Sequence, residues 1–209
     1  MMTYRRLLAL LLLAVPASAA LAQAPANPPP PPEVSAKAAS LPAGHYKIDP
    51  KHGSVLAVVR HLGVSEYLIR FDRFDADFTY DPAQAQATHL EASVDTTSLD
   101  VGAEYSKEFA NNFLGAAKFP KATFVSTAMA PNPDGRTGTM TGDLTLNGVT
   151  HPVTFQVTFI ATGHGLPFGT IAGFTAEGTI RRSEFGSRGF LNYVSDEVRL
   201  QIRGEFDKK

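Results

Sequence analysis

The sequence predicts an all-β domain built from one antiparallel sheet. Apolar and polar side chains alternate with a period of two through about eight segments, as in strands with one buried and one wet face. Asn147-Gly148 joins two of these segments, and this dipeptide favours a tight hairpin turn. Such a sheet packs on a second sheet or closes into a barrel, and the alternation alone fits both architectures.

The alternating segments extend from residue 55 to residue 206. Their predicted inward-facing side chains include Val55, Ala57, Val59, His61, Phe74, Phe78, Leu90, Ala92, Phe124, Leu144, Leu146, Phe155, Val157, Phe174, Ala176, Ile180, Val198, Leu200, Ile202 and Phe206. Between Phe71 and Phe74 the apolar parity slips by one residue, as a β-bulge would cause. Because bulges help a sheet to bend, this slip favours the barrel.

Helical periodicity appears once, over residues Ala103 to Leu114. The apolar stripe is Tyr105, Phe109 and Phe113, and the predicted outward face is Glu104, Lys107, Glu108 and Asn111. Gly115 predicts the end of the helix, since glycine readily takes the left-handed conformation found there. We expect the aromatic stripe either to pack in the core or to cover one end of the closed sheet.

The N-terminus has the three parts of a secretory signal peptide, which we assign to residues 1–22. Arg5 and Arg6 precede an apolar run, and small residues follow it, so cleavage is predicted after Ala22 or, alternatively, after Ala19. An uncleaved anchor is the other interpretation, but the apolar run is shorter than the roughly 20 residues that span a bilayer.

Two further regions follow the predicted signal peptide. Residues 23–44 are rich in proline and alanine, a composition that predicts a disordered or polyproline-II linker, or a tail without a role of its own. Residues 45–209 are long enough for one domain.

Composition and motifs exclude several classes of function. The chain has no cysteine, which excludes disulfides, thiol chemistry and acylation on cysteine. Without Arg5 and Arg6 it carries 17 basic and 20 acidic side chains, a balance that argues against nucleic acid or an anionic membrane surface as the main partner. Neither a nucleophile elbow, nor a phosphate-binding glycine loop, nor a dinucleotide fingerprint is present. We therefore predict no catalytic residues and no enzyme activity.

The histidines and phenylalanines point to binding. None of the six histidines has a partner two residues away on the same strand face, so we predict no metal site. His61 shares the inward face with Val59, and is either a core histidine or the polar end of a ligand site. The 14 phenylalanines either fill a barrel or line one that holds an isoprenoid or acyl chain, for which Ala57 leaves room.

Five short motifs occur in order between Tyr46 and Phe206. They are Tyr46-Lys47-Ile48-Asp49-Pro50-Lys51-His52, His61-Leu62-Gly63, Phe119-Pro120-Lys121-Ala122-Thr123-Phe124, GDLTLNGVTHPV over residues 142–153, and Arg182-Ser183-Glu184-Phe185-Gly186. Together they resemble the YceI-like family of exported bacterial proteins. The resemblance covers nearly the whole predicted domain.

The resemblance implies an extended, eight-stranded, lipocalin-like antiparallel β-barrel with one amphipathic helix, located in the periplasm. It implies a carrier whose apolar tunnel holds a polyisoprenoid or ubiquinone-like lipid, without a cofactor and without catalysis. The residues expected to contact the ligand are Val55, Ala57, Val59, His61, Phe78, Phe109, Phe113, Phe124, Leu144, Phe155, Val157, Phe159, Phe174, Arg182 and Leu200. His61 and Arg182 are expected near the polar end.

Alternatives and departures accompany this interpretation. A stress-related partner module of membrane electron transport, with a structural lipid, is the alternative function, and transient membrane contact and a homodimer are left open. The chain departs from the family pattern at Gly53, at Ala57, and in the segment Ala103 to Glu108, which lacks an Arg-Asp pair. These departures leave the ligand's head group and chain length open.

Overall fold

The computed structural model describes residues 33–102, 104–165 and 169–209. The strands are β1 (Glu33–Ser35), β2 (Gly44–Ile48), β3 (Ser54–His61), β4 (Ser65–Phe71), β5 (Phe74–Tyr80), β6 (His89–Asp95), β7 (Leu99–Asp100), β8 (Lys121–Pro131), β9 (Thr137–Leu146), β10 (Val149–Gly165), β11 (Gly169–Arg181) and β12 (Glu197–Lys208). Helix α1 spans Ser106–Leu114. Short 3-10 helices lie at Ala38–Ser40, Pro50–His52, Pro82–Ala87 and Thr96–Ser98.

The strands close into an eight-stranded antiparallel barrel, which decides between the two predicted architectures. From β8 to β12 each strand pairs with the next one. The barrel closes because β12 pairs with both β2 and β3. Three of the eight strands of the barrel are each formed by two consecutive segments. These pairs are β2 with β3, β4 with β5, and β6 with β7. Strands β2 to β12 therefore follow a simple meander around the barrel, while β1 adds to the edge of β10.

The predicted parity slip is a two-residue break between β4 and β5. The backbone N–H of Asp72 donates to the Ser98 carbonyl at 3.2 Å, and the N–H of Arg73 donates to the Ser98 hydroxyl at 3.0 Å. The break lets β4 pair with β3 and β7 while β5 pairs with β2 and β6. It thus shifts the register at the position where the sequence pattern indicated it.

The outer face of the barrel is polar, as the alternation predicted. Threonine hydroxyls pair across β9 and β10, with 2.8 Å between Thr141 and Thr154 and 2.8 Å between Thr145 and Thr150. The β9–β10 turn has positive φ at Asn147 (53°) and at Gly148 (74°), as the predicted tight hairpin requires. This agreement fixes which side chains of both strands face inward.

Helix α1 begins three residues later than predicted. Gly102 has φ 69° and donates its N–H to the Asp100 carboxylate at 2.7 Å, and this turn delays the helix to Ser106. Ala103 lies outside the described residues. Gly115 ends the helix with φ 56°, as predicted. The helix contacts β7, and the segment 101–120 that carries it connects β7 to β8 at one end of the barrel.

The predicted linker 23–44 is wrong over residues 33–44. Strand β1 pairs with β10, and Leu41 is 1 % exposed against the barrel core. A single buried leucine in a proline- and alanine-rich stretch gave no periodicity, which is why the sequence missed this contact. The predicted signal peptide and residues 23–32 lie outside the described residues.

Candidate functional site

The barrel encloses one elongated cavity of about 1300 Å³. Ordinary ligand pockets have volumes of roughly 300–1000 Å³, so this cavity suits a larger ligand. Its lining comes from both ends of the barrel, from Ala38 and Pro82 at one end to Leu62 and Phe190 at the other. Most of the described phenylalanines therefore line an open space and do not merely fill a core.

Two inward-facing glycines seat aromatic rings against the cavity wall. A Cβ atom at Gly142 would lie 2.4 Å from the ring of Phe124, and one at Gly178 would lie 2.7 Å from the ring of Phe155. Those two rings pack edge to face, with centroids 5.2 Å apart. Because glycine has no side chain, each ring lies close to the backbone of the wall, and the rings therefore occupy less of the lumen.

All fifteen residues that the sequence nominated as ligand contacts line this cavity. They are Val55, Ala57, Val59, His61, Phe78, Phe109, Phe113, Phe124, Leu144, Phe155, Val157, Phe159, Phe174, Arg182 and Leu200. Strand parity placed the wall residues because a period of two fixes the face of every side chain. Their role in binding a ligand stays a prediction.

One end of the cavity, called here the covered end, is where β5 turns into β6 and β8 into β9. Residues 38–42 cross it, and the N–H of Ala38 donates to the Gly135 carbonyl at 3.4 Å. The Tyr80 hydroxyl donates to the Ala38 carbonyl at 3.2 Å, and the Tyr46 hydroxyl donates to the Pro42 carbonyl at 2.7 Å. Burial raises the pKa of Tyr46 to about 12, with a smaller contribution from Tyr80.

Stacked aromatic rings fill the wall beside the covered end. Phe78 stacks on Tyr46 with centroids 5.0 Å apart, and meets Phe206 at 5.1 Å and Phe174 at 5.5 Å edge to face. Tyr46 and Phe78 are 0 % and 4 % exposed. This end is therefore a tightly packed aromatic core.

The opposite end, called here the open end, is where β3 turns into β4 and β11 into β12. A row of rings leads into the cavity there, with centroid separations of 5.6 Å from Tyr105 to Phe109, 5.7 Å from Phe109 to Phe113 and 6.0 Å from Phe113 to Phe190. Tyr105 and Phe190 are largely exposed, while the rings between them are half-buried. The predicted aromatic stripe of α1 thus covers part of the cavity and is not sealed in the core.

Arg182 organises the open end from inside. The side chain is 5 % exposed, and its guanidinium donates to the carbonyls of Ser187 (2.9 Å), Gly189 (2.8 Å), Val194 (2.9 Å) and Ser195 (2.9 Å). Burial lowers the pKa of Arg182, while nearby Asp196 acts in the opposite direction. Because four of its five N–H groups are engaged, Arg182 holds the loop 187–195, called here the rim loop.

Two polar side chains, His61 and Glu108, line the cavity at the open end. His61 lines the cavity and is exposed, and its ring has no hydrogen bond within the described part of the chain. Glu108 was expected to face away from the barrel, but it lines the exposed edge of the cavity together with Asn112. Besides Arg182 and Ser187, the polar groups that reach the open end include His61, Glu108 and Asn112, along with the hydroxyl-bearing Tyr105 and Tyr193.

Sequence reasoning missed several residues of the wall and the mouth. The missed residues include Tyr67, Ile69 and Phe71 of β4, Met129 and Met140 near the covered end, and Leu62, Phe190 and Tyr193 at the open end. The alternation of Tyr67, Ile69 and Phe71 is a period-two signal and was available in the sequence. The rim loop has no period, so its apolar residues carried no such signal.

The described residues contain neither a cluster suited to a metal ion nor a membrane-spanning helix. No three of their His, Asp or Glu side chains lie close enough together to hold a metal ion. None of the helices in ranges 33–102, 104–165 and 169–209 has the length and hydropathy needed to span a bilayer.

Comparison with known proteins connects this geometry to a family. The family model described as the YceI-like domain matches residues 46–206. Protein YceI of Escherichia coli O157:H7 is 41 % identical over 172 residues, which cover 80 % of this chain and 89 % of that protein. Protein YceI of Shigella flexneri is 40 % identical over the same length and coverage.

Solved structures agree with the fold. BcnA of Burkholderia cenocepacia superposes with a TM-score of 0.68 at 29 % identity, covering 76 % of this chain and 98 % of its own. A polyisoprenoid-binding domain from Saccharophagus degradans gives a TM-score of 0.59 at 13 % identity, with coverages of 78 % and 98 %. The second likeness concerns the fold alone.

Proposed function

The chain belongs to the YceI-like family, and we propose that it is a periplasmic carrier that holds one long-chain lipid inside the barrel. The ligand class we propose is a polyisoprenoid, either ubiquinone-like or polyprenyl-like. The observation that carries the proposal is the apolar cavity of about 1300 Å³ that runs from the covered end to the open end.

Burial of the chain supplies the binding energy in this proposal. Each CH₂-like group removed from water contributes about 0.8 kcal/mol, so a chain of about twenty such groups gains roughly 16 kcal/mol before the cost of ordering it. The wall offers aromatic and branched aliphatic side chains along its length, and few polar contacts are needed. A structural relative from Saccharophagus degradans is described as a polyisoprenoid-binding domain, and we extend that ligand class to this chain.

The head group is expected at the open end and is expected to be uncharged. Among the described residues, Arg182 is the cation that lines the cavity there, and its N–H groups already bind the rim loop. His61 and Asn112 offer hydrogen bonds but no permanent positive charge. A quinone carbonyl or a prenol hydroxyl suits these groups better than a diphosphate does.

The first experiment is native mass spectrometry of the protein purified from a bacterial periplasm after export by its own N-terminal segment. Solvent extraction of any adduct then identifies the lipid. A stoichiometric adduct with repeating isoprene units supports the carrier. An empty protein that also fails to bind ubiquinone or polyprenol on titration contradicts it, and absence from the periplasm contradicts the location.

Ala57→Trp tests whether the ligand lies in this cavity. Ala57 lines the cavity on β3 and is 6 % exposed, so an indole there enters the lumen. Ala130→Trp on the exposed face of β8 is the matched control. We expect Ala57→Trp to lose the adduct and Ala130→Trp to keep it, whereas equal retention would place the ligand elsewhere.

A further inference from the structure

Exposed apolar side chains are concentrated around the open end. Ten large apolar residues are exposed in the described part of the chain, and six of them come from three short segments at this end. These six are Leu62 (54 % exposed), Val64 (82 %), Tyr105 (46 %), Phe190 (62 %), Leu191 (42 %) and Tyr193 (57 %). We call them the apolar rim. A concentration of this kind on a protein surface indicates an interaction site.

The apolar rim is held in place by the backbone. The N–H of Leu62 donates to the Tyr193 carbonyl at 2.6 Å, which ties the β3–β4 turn to the rim loop. Arg182 fixes the same loop from inside through four carbonyls. The fold thus uses a buried cation to order a loop whose apolar side chains face solvent, an arrangement that core packing does not require.

Backbone strain falls on the same residues. Among the described residues only Leu62 (φ 53°), Asn147 (φ 53°) and Phe190 (φ 55°) have positive φ without being glycine. Asn147 suits its turn, but Leu62 and Phe190 are bulky residues in a conformation that disfavours them. Residues kept in strained conformations cluster at functional sites. Two exposed, strained apolar residues at the mouth of an apolar cavity therefore point to a function for the rim.

The rim is continuous with the cavity. Leu62, Tyr105, Phe190 and Tyr193 are exposed on the rim and also line the cavity. A lipid in the proposed ligand class resides in a bilayer, so an apolar path from bilayer to cavity has to pass this rim. Tyrosines suit such a contact because their rings are apolar and their hydroxyls remain in the polar layer.

From this geometry we infer that the apolar rim docks on the surface of a lipid bilayer and forms the route by which the ligand enters and leaves the barrel. The inference rests on the proposed function, since it takes the cavity to be a lipid site. The exposed charges that adjoin the rim residues in sequence have both signs, among them Arg60, Lys107 and Arg188 against Glu66 and Glu108. The contact therefore depends on apolar insertion and little on anionic lipid or salt.

The test separates docking from binding in the cavity. Val64 and Leu191 belong to the rim but do not line the cavity, so Val64→Ser with Leu191→Ser weakens docking alone. We expect about tenfold weaker sedimentation with phosphatidylcholine vesicles and slower uptake of ubiquinone from them. Uptake from detergent solution is expected to be unchanged. Val34→Ser, at an exposed apolar residue of β1, is the control.

An inserted tryptophan gives a second measurement, because the chain has no tryptophan of its own. Leu191→Trp is expected to shift its emission to the blue on vesicles and to be quenched by brominated lipid, while Ala130→Trp is not.

Unaltered vesicle binding in the double variant, or no spectral shift at position 191, overturns the inference. A dimer that dissociates in the double variant without any vesicle effect also overturns it, by making the rim a contact between copies. If neither the unmodified protein nor any variant takes up ubiquinone from detergent solution, the proposed function is contradicted instead.

Discussion

The two ends of the barrel are built on opposite principles. At the covered end, aromatic side chains point inward, pack on one another and are buried, as Phe78 and Tyr46 are. At the open end, Phe190 and Leu62 point into solvent, and the buried group is the cation Arg182. The covered end is stabilised by packing of side chains, whereas the open end is stabilised by hydrogen bonds to the backbone of a loop.

The contrast separates stability from function. Buried rings at the covered end contribute to the free energy of unfolding because their burial removes apolar area from water. Exposed rings at the open end contribute little to it, so their presence calls for another explanation. Substitutions at the two ends should therefore have different effects, and four predictions test the comparison.

The largest contrast is expected between Phe78→Ala and Phe190→Ala. Phe78 is 4 % exposed and contacts three other rings, so its removal should lower the free energy of unfolding by about 4 kcal/mol. Phe190 is 62 % exposed, and its removal should change stability by no more than about 0.5 kcal/mol. Urea unfolding followed by circular dichroism measures both. Similar losses would mean that the open end is a packed core after all.

Arg182→Met is expected to cost about 3 kcal/mol, because four carbonyls of the rim loop lose a charged donor. The neighbouring Arg181 is exposed, so Arg181→Met is the matched control, with a change of at most about 0.5 kcal/mol. Hydrogen exchange should also become faster over residues 187–195 in Arg182→Met only. A rim loop that keeps its protection would show that other contacts hold it.

Alkaline pH should weaken the covered end through Tyr46. The folded state keeps this hydroxyl protonated up to a pKa of about 12, whereas an unfolded tyrosine ionises near pH 10. Above pH 10 the unfolded state therefore binds fewer protons, and stability falls as pH rises toward 12, by up to about 2 kcal/mol. Unfolding at pH 9 and at pH 11.5 should show a smaller decrease for Tyr46→Phe than for the unmodified chain. An equal decrease would assign the effect to other groups.

The smallest effect is expected to have the opposite sign. Asparagine tolerates positive φ better than leucine does. Leu62→Asn in the β3–β4 turn should therefore raise the free energy of unfolding by about 1 kcal/mol. The reverse change, Asn147→Leu in the β9–β10 turn, should lower it by at least as much, since Asn147 also donates to the Phe185 carbonyl at 3.1 Å. Thermal denaturation of both variants gives the comparison. Destabilisation by Leu62→Asn would mean that Leu62 is there for packing.

The sequence predicted the wall of the cavity better than its mouth. In β9 and β12 inward-facing and outward-facing side chains alternate, so one well-placed hairpin such as Asn147-Gly148 sets the parity of its neighbours. His61 was placed correctly for the same reason. Arg182 also lines the cavity as predicted, but its hydrogen bonds to the rim loop were not foreseen. Its acceptors are backbone carbonyls of a loop, and a loop's path is not encoded in a periodic pattern.

The covered end exposes a different limit of sequence reasoning. Leu41 lies in a stretch with the composition of a disordered segment, yet it is among the most buried side chains in the described chain. Its burial depends on a contact with the finished barrel and not on local propensity. Composition indicates whether a segment can fold by itself, whereas this segment is ordered by its contacts with the barrel.

The pairing of β12 has a consequence for the order of folding. Val55 on β3 and Ile202 on β12 are partners in the closed barrel although 147 residues separate them in the chain. Contacts between such distant residues form slowly, because a long loop has to close before they contribute. During synthesis β3 and β11 have unpaired edges until β12 (Glu197–Lys208) has left the ribosome. Unpaired strand edges can pair with other chains. Closure by β12 is thus the step that removes the free edges of β3 and β11 from an aggregation-prone sheet.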